Sequence, residues 1–169
     1  MIKTIEDAAV LRVLYPTPKE RVLRKVILRL DAHCTDFIRL SPFCVLSSVS
    51  RQGTPDLSPR GGPPGFVAVR DAQTLLLRDQ GGNNRLDNLS NIAATSAVAL
   101  LFFVPGVDET LRVYGAATIL PANAFADEDG AAGSATSALQ ITGMKRGYAA
   151  GTLGVMDTSK PRACNCWTR

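Results

Sequence analysis

The chain has 169 residues, 46% hydrophobic and 20% charged, with 19 Lys+Arg against 15 Asp+Glu and a net charge of +4. These proportions exclude a disordered or fibrous chain and fit one globular domain, which at this length buries about 70% of its unfolded surface without needing disulfides. The longest apolar run, Ala97 to Val104, is far short of the roughly 20 residues of a membrane-crossing helix.

No membrane role is therefore expected. The first residues carry no apolar leader block, so a cytoplasmic location is the expected one. The positive excess is local. Residues 1–129 balance at 14 basic and 14 acidic side chains, whereas residues 130–169 hold Lys145, Arg146, Lys160, Arg162 and Arg169 against Asp157. A basic tail on a body without a nucleic-acid motif gives no reason to expect a nucleic-acid partner.

In chain order, residues 1–16 read as a lead-in. Thr17-Pro18-Lys19-Glu20 combines a cap hydroxyl, a first-turn proline and a glutamate three residues on, a helix start. Val22, Leu23, Val26, Ile27 and Leu30 recur at helical spacing and predict its apolar face. Asp31 is placed to cap a second helix through Leu40, which Ser41-Pro42 stops.

The period then changes to two. Phe43 to Ser50 is a predicted strand and Arg51-Gln52-Gly53-Thr54 its turn. Asp56 to Arg60 returns, and Pro59 makes it an edge strand or one about to leave the sheet. After a Gly61–Gly65 loop, Phe66–Val69 and Thr74–Arg78 form a second hairpin. Asn84–Ala93 is a predicted helix with Leu86, Leu89 and Ile92 or Ala93 on one side. Ala97–Val104 and Thr110–Leu120 are strands around a Pro105–Glu109 turn. Beyond Pro121, residues 121–154 are mostly small or polar, and the expectation is a loosely ordered arm. The fold class that results is mainly β with flanking helices, as a small closed or nearly closed antiparallel barrel.

Two glycine-rich loops, each with one arginine, flank the second hairpin: Arg60-Gly61-Gly62-Pro63-Pro64-Gly65 and Gly81-Gly82-Asn83-Asn84-Arg85. Backbone N–H groups at a helix start together with a guanidinium make an anion site. Arg60 and Arg85 are the main candidates, and Arg suits a terminal phosphate because its fork donates two charge-assisted bonds. Asn84, Asn88 and Ser58 are either phosphate contacts or plain capping residues. The only histidine, His33, reads as a partly buried, hydrogen-bonded side chain. No nucleophile elbow is present, and Gly81-Gly82 lacks the Lys and Ser/Thr of a phosphate-binding P-loop. The adjacent carboxylates Asp108 and Glu109 point apart on a turn. Cys34 and Cys44 read as small buried thiols. Cys164-x-Cys166, with no second cysteine pair and no histidine nearby, is a poor metal site, so no metal is expected.

Leu30-Asp31-Ala32-His33-Cys34, Ser41-Pro42-Phe43, Asp56-Leu57-Ser58-Pro59-Arg60-Gly61, Pro63-Pro64-Gly65-Phe66, Gly82-Asn83-Asn84-Arg85-Leu86-Asp87, Leu100–Gly106 and Glu109–Val113 together resemble the pyridoxamine 5'-phosphate oxidase-like, FMN-binding split-barrel family. The resemblance covers roughly residues 17–120. It divides the chain into a flavin-binding domain over 1–120 and a divergent C-terminal arm over 121–169. It implies a six-stranded antiparallel split β-barrel, a homodimer, and one FMN in each of two clefts between subunits. Ser58, Arg60 and Gly61, with Asn84, Arg85 and Asn88, fall where the family holds the phosphate. Thr110 and Arg112 fall near where its long fifth strand passes the flavin ring from the partner subunit. The implied activity is that of a flavin-dependent oxidoreductase acting on a small molecule, with a nicotinamide as possible donor. The alternatives are a non-catalytic flavin or haem binder and a deazaflavin-dependent reductase. Two departures stand out: Gly62 where close relatives carry an acidic residue, and a tail in which Thr142–Arg169 lacks the final strand and helix of relatives.

Overall fold

A computed structural model describes residues 4–18, 26–81, 84–121, 124 and 135–150. A short helix α1 (Ala8–Leu14) lies in the expected lead-in, capped by the Asp7 carboxylate, which accepts from the Ala9 N–H. It buries none of its own residues. The helix predicted from Thr17 falls largely on residues outside the description. Its far end differs from the expectation: Val26–Ile27 is a short strand, β1. Both residues are β-branched, and pairing with another strand outweighs a weak local helical preference.

Asp31 caps α2 (Ala32–Leu40) as predicted, its carboxylate accepting from the Cys34 N–H at 2.9 Å. The helix turns Cys34, Phe37 and Ile38 into the core. Strand β2 (Phe43–Val49) alternates half-buried and buried residues and turns through Gly53, at φ +82°, into β3 (Pro55–Gly61). Hairpin β4 (Val67–Asp71) and β5 (Thr74–Gln80) follows. Helix α3 (Asp87–Thr95) starts three residues later than Asn84, because Asn84 itself is left-handed at φ +58°. Leu86, expected on its apolar side, precedes it and is exposed. Strands β6 (Ala97–Phe103) and β7 (Glu109–Pro121) complete the predicted set.

The principal correction concerns the tail. Residues 135–150, expected in a loosely ordered arm without a final strand, form the 16-residue strand β8 (Ala135–Ala150). It is central, pairing antiparallel with β1, β5 and β7. Leu139, Ile141 and Met144 are buried from it. Its two-residue period breaks at Gly143, at φ +65°, and the β7–β8 register shifts between Tyr114 and Ala116. Gly115 sits at that shift, where a Cβ would come within 2.7 Å of the Thr142 carbonyl oxygen. A bulge of this kind hides the strand from a period-two reading.

Among the described residues the strands run in the order β3-β2-β6-β7-β8-β5-β4, all antiparallel, with β1 on β8. The six predicted strands are thus present, and β1 and β8 add to them. Pro59 does lie on an end strand. The inward row of Leu46, Leu100, Phe102, Leu111, Val113, Leu75, Leu77, Leu139 and Ile141 packs with α2 into one core. The split barrel's seam lies between β3 and the β4–β5 hairpin, which share no ladder. A side-chain ion pair bridges it, from Arg60 on β3 to Asp79 on β5. None of the described helices is long and apolar enough to cross a membrane.

Candidate functional site

Strand β3 presents Asp56, Ser58 and Arg60 on its less exposed face, alternating with exposed Pro55, Leu57 and Pro59. This inner row is bound at both ends. At one end Asn88, in the first turn of α3, donates from Nδ2 to Asp56 Oδ2 and to Ser48 Oγ, each at 2.7 Å. Asn91, one turn along, donates to the same Ser48 hydroxyl at 3.2 Å. At the other end Arg60 Nη1 donates to Asp79 Oδ1 at 2.5 Å. From Asp79 the chain passes through Gln80 and Gly81 to Asn84 and back into α3. Strand β3 is therefore joined by side chains to the end of β5 and to the start of α3, and the polar groups along it form a candidate cradle.

Ser58, Arg60, Gly61, Asn84, Arg85 and Asn88 all belong to these segments. They differ in availability. Asn88 is 4% exposed, so it braces α3 against the barrel. Arg85 is exposed and donates from Nε to Asp87 Oδ2 at 2.9 Å. Arg60 is half-buried, and its Nε is a buried donor with no acceptor among the described residues. Asn88 Oδ1 is likewise buried without a partner among them. No side chain caps the start of α3 among the described residues, which leaves first-turn N–H groups for another acceptor. Gly61 ends β3 with only ordinary clearance, a Cβ there lying 3.4 Å from the Pro42 carbonyl oxygen.

Thr110 and Arg112 stand apart. Across the ladders Gly61 pairs with Phe43, Phe43 with Phe103, and Phe103 with Thr110. Thr110 is thus three strands from the cradle, roughly 14 Å at the usual strand spacing. Arg112 is exposed and out of phase with buried Leu111 and Val113, so it projects from the outer face of the sheet. Arg60 projects from the inner face of β3. The two arginines therefore project from opposite faces of the sheet within one chain.

That outer face is mostly apolar apart from Ser47 and Arg112. Val45, Ala99 and Leu101 form its middle, Phe43 and Phe103 meet at a tilt with ring centroids 5.8 Å apart, and Leu57 and Tyr114 are exposed at 68% and 43%. Two other expectations change or hold. His33 is exposed rather than partly buried, with Nε2 3.8 Å from Glu109 Oε2; the first turn of α2 leaves it on the solvent side. Cys34 and Cys44 are buried thiols as expected. Burial pushes the Cys44 thiol up to about 12, with the neighbouring Arg60 charge opposing. Cys164, Cys166 and Trp167 lie outside the described residues.

The sequence reading missed three carboxylates that surround the cradle: Asp56, Asp79 and Asp87. Asp79 was legible in one respect. It continues the inward phase of Leu75 and Leu77 on β5, and a charge in such a row requires a partner.

The family model described as pyridoxamine 5'-phosphate oxidase matches residues 30–144. No curated protein matches the sequence. Among solved structures, the chain is similar to a point variant of HupZ from Group A Streptococcus, at 16% identity and TM-score 0.56, covering 70% of this chain and 98% of that one. A Lactobacillus delbrueckii protein provisionally named pyridoxamine 5'-phosphate oxidase gives 16% identity and TM-score 0.55, covering 73% and 96%. A Clostridium acetobutylicum protein related to general stress protein 26 of B. subtilis gives 13% identity and TM-score 0.52, covering 69% and 85%. At these identities the likeness is one of fold.

Proposed function

This chain belongs to the pyridoxamine 5'-phosphate oxidase family, and on that premise we propose that it is an FMN-binding homodimer, a flavin-dependent oxidoreductase acting on a small molecule. The observation that carries the reading is the cradle: two arginines, Ser58 and a helix start with no side-chain cap among the described residues, on segments joined by the Asn88–Asp56 and Arg60–Asp79 contacts.

The chemistry of the cradle suits a phosphate. The orphaned Arg60 Nε is a donor in need of an acceptor, and a phosphate oxygen is the strongest acceptor a small ligand offers. Arg85 makes an exposed ion pair with Asp87, a contact worth about 0–1 kcal/mol. First-turn N–H groups of α3 add the positive end of a helix. Arg60 and Arg85 would neutralise the phosphate, Ser58 would donate a hydroxyl, and Asn88 would hold the turn in place. FMN, when bound, supplies the hydride or electron transfer itself.

Two observations support the dimer. Arg112 projects from the face of the sheet opposite to that of Arg60, and Thr110 lies three strands from the cradle of its own chain. The outer face of β2, β6 and β7 is an apolar patch of the kind that a protein partner covers. A second copy laid on that face supplies Thr110 and Arg112 to its neighbour.

The test is direct. The purified protein is expected to take up FMN with flavin absorbance bands and to prefer FMN over riboflavin, which lacks the phosphate. Anaerobic NADH or NADPH then bleaches an oxidoreductase and leaves a passive binder yellow. Mass spectrometry of the released ligand separates FMN from a deazaflavin. A protein that takes up neither flavin refutes the proposal.

A further inference from the structure

We propose that Arg60 and Asp79 form a latch across the barrel seam, so that a phosphate gains Arg60 only by drawing it from Asp79, and Asp79 thereby sets the affinity of the cradle. The inference rests on the flavin-phosphate reading above and adds a residue that reading does not contain.

Three observations carry it. First, the two side chains come from strands that share no ladder, β3 at one end of the sheet and β5 beside the other. Their 2.5 Å contact is a bond across the seam, with side chains 21% and 16% exposed. Second, the bond leaves Arg60 incompletely satisfied. Its Nε is buried with no acceptor among the described residues, and a guanidinium carries five N–H donors. Cys44, directly across the ladder, is a buried thiol and only a weak acceptor. A phosphate with three terminal oxygens satisfies more of the guanidinium than one carboxylate can.

Third, the other carboxylates of the cradle do not compete in the same way. Asp56 accepts from Asn88. Asp87 pairs with Arg85 at a site where the side chains are 75% and 55% exposed, so solvent screens that pair. Asp79 alone combines partial burial with a bond across the seam. An incoming dianion meets a negative charge that is only weakly screened, and it must take over that charge's partner. The latch thus holds the seam shut without ligand and selects ligands able to outbid a carboxylate, which riboflavin is not.

The experiment compares FMN and riboflavin binding, by flavin fluorescence at fixed ionic strength, in the wild type, Asp79→Asn, Asp79→Ser, Arg60→Ala and the Arg60→Ala/Asp79→Asn double variant. Relief of the competition should tighten FMN roughly tenfold, the scale of one charged hydrogen bond, with riboflavin unchanged. The gain should vanish in the Arg60→Ala background. Both Asp79 variants should also unfold at lower urea without ligand. A folded Asp79 variant that binds FMN no tighter, or that tightens riboflavin equally, overturns the latch. A readout on the wild type covers variants that fail to fold: the Arg60 Nε–H resonance, assigned by its loss in Arg60→Lys, should shift on FMN addition, and an unmoved resonance at saturation also overturns it. If no form of the protein binds FMN, the flavin reading itself fails, an outcome distinct from a wild type that binds FMN while its Asp79 variants do not differ.

Discussion

Asn88 on α3 and Asp56 on β3 are joined at 2.7 Å, and the same amide reaches Ser48 on β2. This one buried side chain ties the helix that opens the cradle to both strands of the first hairpin. Asp56 and Ser48 also face each other across the ladder, so the three groups form a compact polar cluster beneath the start of α3.

Asn88→Ala should therefore destabilise the fold, by about 1–3 kcal/mol for acceptors and donors left buried without partners. Asn88→Asp should cost at least as much, because it sets a second carboxylate against Asp56. Urea unfolding of the two variants checks this. An Asn88→Asp variant as stable as the wild type would contradict the role assigned to the cluster.

The two arginines should differ. Arg85→Ala leaves stability within about 0.5 kcal/mol, as for other exposed sites, and weakens FMN. Arg60→Ala weakens FMN by about 1.5–3 kcal/mol, the range for bonds to charged groups, and also destabilises the protein by leaving Asp79 unpaired. Titration of FMN alongside thermal unfolding separates the effects. Unchanged FMN affinity in both variants would remove the phosphate assignment.

A charge placed on the outer face of the sheet should split the proposed dimer. Leu101→Asp sits in the middle of that apolar face, between Val45 and Arg112 in the cross-strand row. Analytical ultracentrifugation should show a dimer in the wild type and a monomer in the variant. A wild type that sediments as a monomer at all concentrations would contradict the assembly.

Cys44 gives a pH signature. Burial raises its thiol from 9.0 to about 12. The unfolded chain thus loses this proton at lower pH than the folded one. The contribution is complete below about pH 9 and is lost as pH rises toward 12. The stability difference between wild type and Cys44→Ala should shrink across that window, and a constant difference would show that the thiol is not held neutral. In a background with Cys164 and Cys166 replaced by serine, native protein should resist thiol reagents at neutral pH and react once unfolded.

The hairpins, α2 with its Asp31 cap, the edge position of β3 and the split-barrel class were legible in the sequence. Each rests on local signals: alternation of apolar residues, turn glycines, a capping carboxylate. Strand β8 was not legible, because its inward Leu139, Ile141 and Met144 are separated by small residues and interrupted at Gly143. Its strand character comes from the ladders with β5 and β7 on either side. Strand β1 lies where the sequence predicts a helix for the same reason, its two β-branched residues pairing with β8.

The amino-acid order by itself determined the class of the fold and the arginine-bearing loops of the cradle, though not its carboxylates, since period, caps and glycine loops are properties of neighbours along the chain. Only the tertiary structure decided that Arg60 meets Asp79, that Asn88 is a buried brace, and that Thr110 and Arg112 face away from their own chain's cradle. These depend on how a curled sheet brings strands distant in sequence to one seam and turns alternate residues to opposite faces, and no local pattern encodes that closure.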